Sequence, residues 1–172
     1  MIHYFSTARL KVYELKAEHG PLTDALLETI PRILTKNVVE NLPPYFQGIE
    51  SKAQAKAWLD IMLAESRLFL VKNKNEEVLG CVFISHALEQ DNYQDKHLGY
   101  LLAEEQWGKG LASELLHAFI KHAEQTESWH KLIGGVDKHN FASAKVLLKL
   151  GFTKRCNSNQ SADFYELSLS KS

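Results

Sequence analysis

The sequence predicts a mixed α/β fold, a seven-stranded sheet flanked by helices, and three observations carry that reading. Apolar runs of strand length recur at 9–15, 68–71, 78–87, 98–102, 132–136, 152–156 and 164–169. Between several of them lie segments whose apolar residues repeat at helical spacing. Glycine, proline and asparagine punctuate the joins, and such an order builds a sheet with helices on its faces.

In chain order, the strand at 9–15 precedes a helical pattern over 22–36 that Pro31 interrupts. Proline lacks the N–H that a helix interior uses, yet suits the first turn of a new helix. Residues 38–50, with Pro43, Pro44 and Gly48, read as loop. Ser51 and Gln54 form a capping-box signature ahead of a helix whose Ala55, Trp58, Leu59 and Met62 share a face. The runs 68–71 and 78–87 make a hairpin around a polar turn, the second strand being apolar on both faces. A polar loop, 88–95, leads into the strand at 98–102. Leu111, Leu115, Leu116, Phe119 and Ala123 then mark the central helix. Gly134 and Gly135 in the next strand predict close backbone approach. A short helix over 142–150 turns Val146, Leu147 and Leu150 inward and stops at Gly151. Strands 152–156 and 164–169, joined by the loop 157–161, complete the sheet.

At 172 residues and 45% hydrophobic composition the chain suits one domain, 1–172, with a sizeable core. A formal net charge of -1 without a basic run argues against nucleic acid as partner. The N-terminus has no basic region followed by an apolar core, and no run is long enough to span a bilayer. A cytoplasmic protein without membrane attachment is expected, as monomer or homodimer. Cys81 and Cys156 lack CxxC spacing and are expected to be core or inert thiols. His117 and His122 are five apart and no HExxH occurs, so no metal site is expected.

The functional signal lies at Trp107-Gly108-Lys109-Gly110, between strand and central helix. Glycines at a helix start leave backbone N–H groups uncovered at the positive end of the helix dipole, a cradle for phosphate. A tight turn alone also explains the glycines. A dinucleotide fingerprint fails because Ser113 stands where its third glycine belongs, and no Gly-Lys-Ser/Thr step supports a Walker A loop.

Three stretches resemble the GCN5-related N-acetyltransferase superfamily, and in particular its ribosomal-protein N-acetyltransferase branch, often labelled RimJ/RimL. They are GYLLAEEQWGKGLASELL, with Trp107 where other branches carry Gln or Arg; VDKHNFASAKVLLKLGF, with Asn140 and Ser143 in the Asn-x-x-Ser step before Leu-Gly-Phe; and ARLKVYEL. The resemblance implies a mostly antiparallel sheet and acetyl-CoA as the acetyl donor. It places the diphosphate on the N–H groups of Trp107, Gly108, Lys109, Gly110, Leu111 and Ala112. It also implies that the strand is bulged near Leu101 and splays from the 132–136 strand, freeing backbone at Leu101, Leu102 and Ala103 for the pantetheine arm. Ser143 matches the serine proposed to hydrogen-bond the departing thiolate, with helix capping as its plainer role. Asn140 is expected to cap that helix and also to contact cofactor or acceptor.

The attacking amine must be neutral. An α-amino group of pKa about 8 is roughly 10% neutral at pH 7, against below roughly 0.1% for a lysine, so an N-terminal amine needs little help. Where this branch often carries an acidic residue, the chain has His97, a candidate base acting directly or through water; a structural histidine is the alternative. Glu104 and Glu105 are fallback bases. Glu89, Asp91, Asp95, Glu104 and Glu105 are candidates to attract a cationic amine, whether a protein N-terminus, a polyamine or an aminoglycoside.

Overall fold

The sheet has eight strands, one more than the sequence predicts. A computed structural model describes residues 1–20, 22–86, 94–156 and 161–170. The additional strand is β1 (Ile2–Ser6), which pairs antiparallel with β2 (Leu10–Leu15). Only Phe5 of β1 is buried, so the strand carries almost no apolar signal; a turn closed by Thr7 makes it. Thr7 N–H donates to Leu10 O at 2.8 Å, and Thr7 Oγ1 accepts from Leu10 N–H at 2.9 Å.

The other strands are β3 (Ser66–Asn73), β4 (Val78–His86), β5 (Asp95–Leu102), β6 (Lys131–Asp137), β7 (Thr153–Lys154) and β8 (Ala162–Ser168). Their spatial order is β1-β2-β3-β4-β5-β6-β8-β7, and every neighbouring pair is antiparallel except β5 with β6. The predicted loops at 88–93 and 157–160, with Glu89 and Asp91, lie outside the described residues.

Side chains alternate across strands, so the sheet feeds two cores. Phe69, Val71, Val82, Ile84, Leu98 and Leu102 join α4 (Leu111–Thr126) and α5 (Phe141–Lys149) on one face. Leu68, Leu70, Cys81, Phe83 and Leu101 join α1 (Asp24–Ile33), α2 (Lys36–Val39) and α3 (Lys52–Glu65) on the other. Phe119 of α4 is fully buried against the rings of Tyr4, Phe5 and Phe69, and truncating such a side chain costs about 3–5 kcal/mol. The capping box forms: Gln54 N–H donates to Ser51 Oγ at 3.3 Å, while Gln54 Oε1 accepts from Glu50 N–H at 3.0 Å.

Several boundaries differ from expectation. Pro31 sits inside α1 instead of breaking it, because Ile30 and Ile33 bury on either side of it. Residues 36–39, read as the end of a helix and the start of a loop, form α2, which buries Val38 and Val39. The 152–156 strand shrinks to Thr153–Lys154 at the sheet edge, leaving Cys156 exposed rather than in the core. Gly134 approaches a side chain, not backbone: a Cβ there would lie 2.8 Å from Leu147 Cδ1. Among the described residues no helix is long and apolar enough to cross a membrane.

Candidate active site

The site begins with unequal pairing along β5. Toward β4 it is zipped without interruption from Gly80↔Leu102 to His86↔Lys96. Toward β6 it pairs only at Asp95↔Lys131, Lys96↔Leu132 and His97↔Ile133, and beyond His97 the two parallel strands part. The expected splay is present, whereas the bulge near Leu101 is absent from the β4 ladder. The irregularity lies one strand away, where Leu79 is the extra residue between Val71↔Gly80 and Lys72↔Val78. Gly80 answers it, since a Cβ there would collide with Leu101 O.

Alternation then decides which backbone groups face the gap. Ala103 N–H donates to Leu79 O at 2.7 Å, so Ala103 and, two residues back, Leu101 present their backbone to β4. Leu102 and Tyr100 present theirs to the gap. Leu102 O is occupied by the Trp107 indole N–H at 3.0 Å, leaving its N–H and both Tyr100 groups on the open edge. Of the three predicted positions, Leu102 alone faces the gap, and Tyr100 is the position the sequence reading missed.

At the end of β5 a 3-10 turn, Glu104–Gln106, delivers the chain to the glycine loop. Gly108 and Gly110 sit at φ 71 and 73°, where a Cβ is strained. Gly110 caps α4 without any side chain, so the first helical N–H groups stay uncovered. Trp107 N–H is spent on Glu104 O at 3.1 Å. Among the described residues no acceptor takes the N–H groups of Gly108, Lys109, Gly110, Leu111, Ala112 or Ser113, a fan at a helix N-terminus suited to a diphosphate.

The two faces hold different chemistry. On the α5 face Tyr100 Oη donates to Ser143 Oγ at 3.2 Å, spanning the gap. Burial pushes the Tyr100 phenol up, against a smaller lowering by Ser143, so it remains a donor and leaves the Ser143 hydrogen to point elsewhere. Asn140, not Ser143, caps α5, its Oδ1 accepting from Ser143 N–H at 3.1 Å.

On the opposite face His97, at the vertex of the gap, opens on a cavity of about 260 Å³ lined by Tyr45, Phe46, Met62, Phe83, Ser85 and Gly135. The His97 ring stands edge-on to Phe164, centroids 6.2 Å apart. Larger cavities of about 540 and 670 Å³ lie along α1, and neither is lined by His97, Tyr100 or Ser143. The expected carboxylate cluster does not converge here. Glu104 is held by Asn37 Nδ2 at 2.8 Å and Thr35 Oγ1 at 3.3 Å, Glu105 lines the 540 Å³ cavity, and Asp95 is buried. Glu65, unremarked in the sequence, is the one carboxylate among the described residues lining the His97 cavity. Cys81, beneath Leu101, has its thiol pushed up to about 12 by burial, which removes it as a nucleophile.

Uncovered amides on one face, a cavity on the other and a gap between two strands meet along β5 as a two-sided cleft. The family described as acetyltransferase (GNAT) domain matches residues 20–153, and the chain belongs to that family. Over 79 residues it is 30% identical to the [ribosomal protein uS5]-alanine N-acetyltransferase of Escherichia coli (strain K12). That match covers 46% of this chain and 40% of the relative, so the chain spans less than half the length of that curated protein. Its fold is similar to that of RimL, a ribosomal L7/L12 alpha-N-protein acetyltransferase solved with coenzyme A, at TM-score 0.76 and 15% identity over 97% of this chain and 98% of that one. It is similar also to spermidine N-acetyltransferase from Vibrio cholerae, solved with CoA and spermine, at TM-score 0.69 and 18% identity over 96% and 98% of the two chains.

Proposed function

We propose that the chain is an acetyl-CoA-dependent N-acetyltransferase, a single cytoplasmic domain over 1–172, acting on a primary amine and foremost on the N-terminal α-amine of a protein such as a ribosomal protein. The observation that carries this reading is the β5 edge left unpaired beyond His97, with the uncovered N–H groups of Gly108 to Ser113 at its end.

Acetyl-CoA, when bound, supplies the acetyl group as a thioester. The amides of Gly108 to Ser113 hold the diphosphate, and the Tyr100 and Leu102 groups on the open edge receive the amides of the pantetheine arm. An N–H on that edge also faces the negative charge that develops on the carbonyl oxygen, a donor worth about 3 kcal/mol of barrier. From the α5 face Ser143, its oxygen already engaged by Tyr100, directs its hydrogen to the departing sulfur. A thiol leaves readily near its ordinary pKa of about 8.5, so Ser143 assists without being essential. From the other face His97 takes a proton from the amine, directly or through water. No residue in this arrangement forms an acyl-enzyme; transfer is direct.

An α-amine fits because it asks little of its base, and the His97 cavity is mainly apolar and aromatic, suited to the first side chain of a peptide. Glu65 at the same cavity favours a second reading, a small cationic amine such as a polyamine. A thiol-release screen of acetyl-CoA turnover against N-terminal peptides and small amines separates the two. Turnover confined to peptides supports the first, and turnover confined to polyamines or aminoglycosides replaces it with the second. Tight binding of acetyl-CoA with no turnover on any amine removes both and leaves an acyl-CoA-binding protein.

A further inference from the structure

The turn between β1 and β2 reaches across to the glycine loop, and the bonds it makes there serve no strand. Arg9 Nε donates to Glu114 Oε2 at 2.6 Å and Arg9 Nη1 to Lys109 O at 2.9 Å. Thr7 Oγ1 and Arg9 N–H both reach Glu114 Oε1, at 2.6 and 3.1 Å. The remaining guanidinium nitrogen, Nη2, finds no acceptor among the described residues and lies 3.8 Å from where a Gly110 Cβ would stand. It therefore borders the same loop whose amides are uncovered.

Charge gives the arrangement a purpose. Glu114 sits in the first turn of α4, where a carboxylate favours the helix but repels any anion bound at that end. Burial raises its carboxyl, and the bonds from Thr7 and Arg9 outweigh that and hold it below the ordinary value. Arg9 thus satisfies the one acidic side chain of that first turn while keeping a free donor edge beside the cradle.

We propose that Arg9 belongs to the donor site: its free guanidinium edge binds a phosphate of the acetyl-CoA nucleotide, and its bonds to Lys109 O and Glu114 hold the loop and screen the carboxylate. This rests on the proposed acetyl-CoA dependence. The ligand chemistry is a phosphate monoester or diphosphate, which a planar guanidinium fork suits.

The test compares kcat/KM for acetyl-CoA and for S-acetylpantetheine, which lacks every phosphate, in the wild type and in Arg9→Ala. With acetyl-CoA the variant is expected to lose roughly 10- to 100-fold, as for a lost charge-assisted bond, and with S-acetylpantetheine less than twofold. Adding Glu114→Gln to Arg9→Ala returns part of the loss by removing the unscreened charge. An equal loss with both donors makes Arg9 a merely structural residue and overturns the proposal, as does no loss with either. Acetyl-dephospho-CoA assigns the phosphate: a loss that persists points to the diphosphate and one that vanishes to the 3′-phosphate, both in support. Should Arg9→Ala fail to fold, Arg9→Gln carries the same comparison. A wild type that turns over neither donor sinks the acetyl-CoA reading and this inference together, whereas an active wild type matched by an equally active variant sinks only the latter.

Discussion

The two edges of β5 are built to opposite ends. Along β4 seven consecutive pairs leave no backbone group idle, while along β6 three pairs give way to an opening. A strand held along the whole of one edge stays in place when the other is released, so unpaired donors persist where a ligand can use them. Unpaired backbone polar groups are costly when buried, and a structure keeps them where solvent or a ligand meets them. On the proposed function the closed edge carries stability and the open edge carries binding, and substitutions on the two should separate in what they disturb.

The sharpest separation is expected from two glycines. Gly80→Ala on the closed edge drives a Cβ into backbone, Leu101 O and Leu102 Cα, that cannot swing aside. The expected loss is about 3 kcal/mol of stability, at the upper end for overpacking, read as a lowered urea midpoint. Gly110→Val, at the end of the open edge, meets nothing closer than Arg9 Nη2 at 3.8 Å but forces a β-branched residue to φ 73°. Its loop relaxes away from the cradle shape, and acetyl-CoA affinity by calorimetry should fall about 30-fold, near 2 kcal/mol. If Gly110→Val unfolded the protein as readily as Gly80→Ala, the division between the edges would be wrong.

His97 stands at the last paired position and tests how much chemistry the vertex contributes. For an α-amine, already roughly 10% neutral at pH 7, a base can gain at most about tenfold from deprotonation. His97→Ala is accordingly expected to lower kcat about tenfold at pH 7 and to leave an acid limb set by the amine's own pKa of about 8. A loss of a thousandfold would indicate a lysine-like acceptor, and wild-type pH behaviour would remove His97 from the mechanism.

The same contrast explains what could be read from the sequence. The cradle is made of backbone within one continuous stretch, Gly108 to Ser113, and its glycines announce it; the Asn140 to Ser143 cap is likewise local. The His97 cavity is lined by residues from the 42–46 segment, α3, β4, β5 and β6, brought together only by the fold, and no local pattern marks Glu65, Phe83 or Gly135 as neighbours. Tyr100 was hidden for a related reason. Its role depends on which way alternate backbone groups point, and that is fixed by the bond from Ala103 N–H to Leu79 O on another strand. β1 escaped because its strand is anchored by one buried side chain and by hydroxyl bonds of Thr7 rather than by alternation. The extra residue at Leu79 mattered as well: it moved the irregularity expected near Leu101 onto β4.

The smallest effect expected is a pH-dependent one, at the joint between the β1–β2 turn and the start of α4. Burial of the Glu114 carboxyl raises its pKa, but bonds from Thr7 and Arg9 lower it further, and the folded value lies below that of the unfolded chain. A depressed carboxyl contributes stability that is fully present above the unfolded value, near pH 4.3, and is lost as pH falls through the folded value below it. Glu114→Gln removes the charge at every pH. The wild type should therefore exceed the variant in urea midpoint at pH 7, and the gap should close as pH falls below the unfolded value and the wild-type carboxylate takes up its proton. A gap that held constant through that fall would mean that the carboxylate's charge does not bind the turn to the helix. In that case the loop beside the open edge is held by hydrogen bonds that need no charge on Glu114, among them the one from Arg9 Nη1 to Lys109 O.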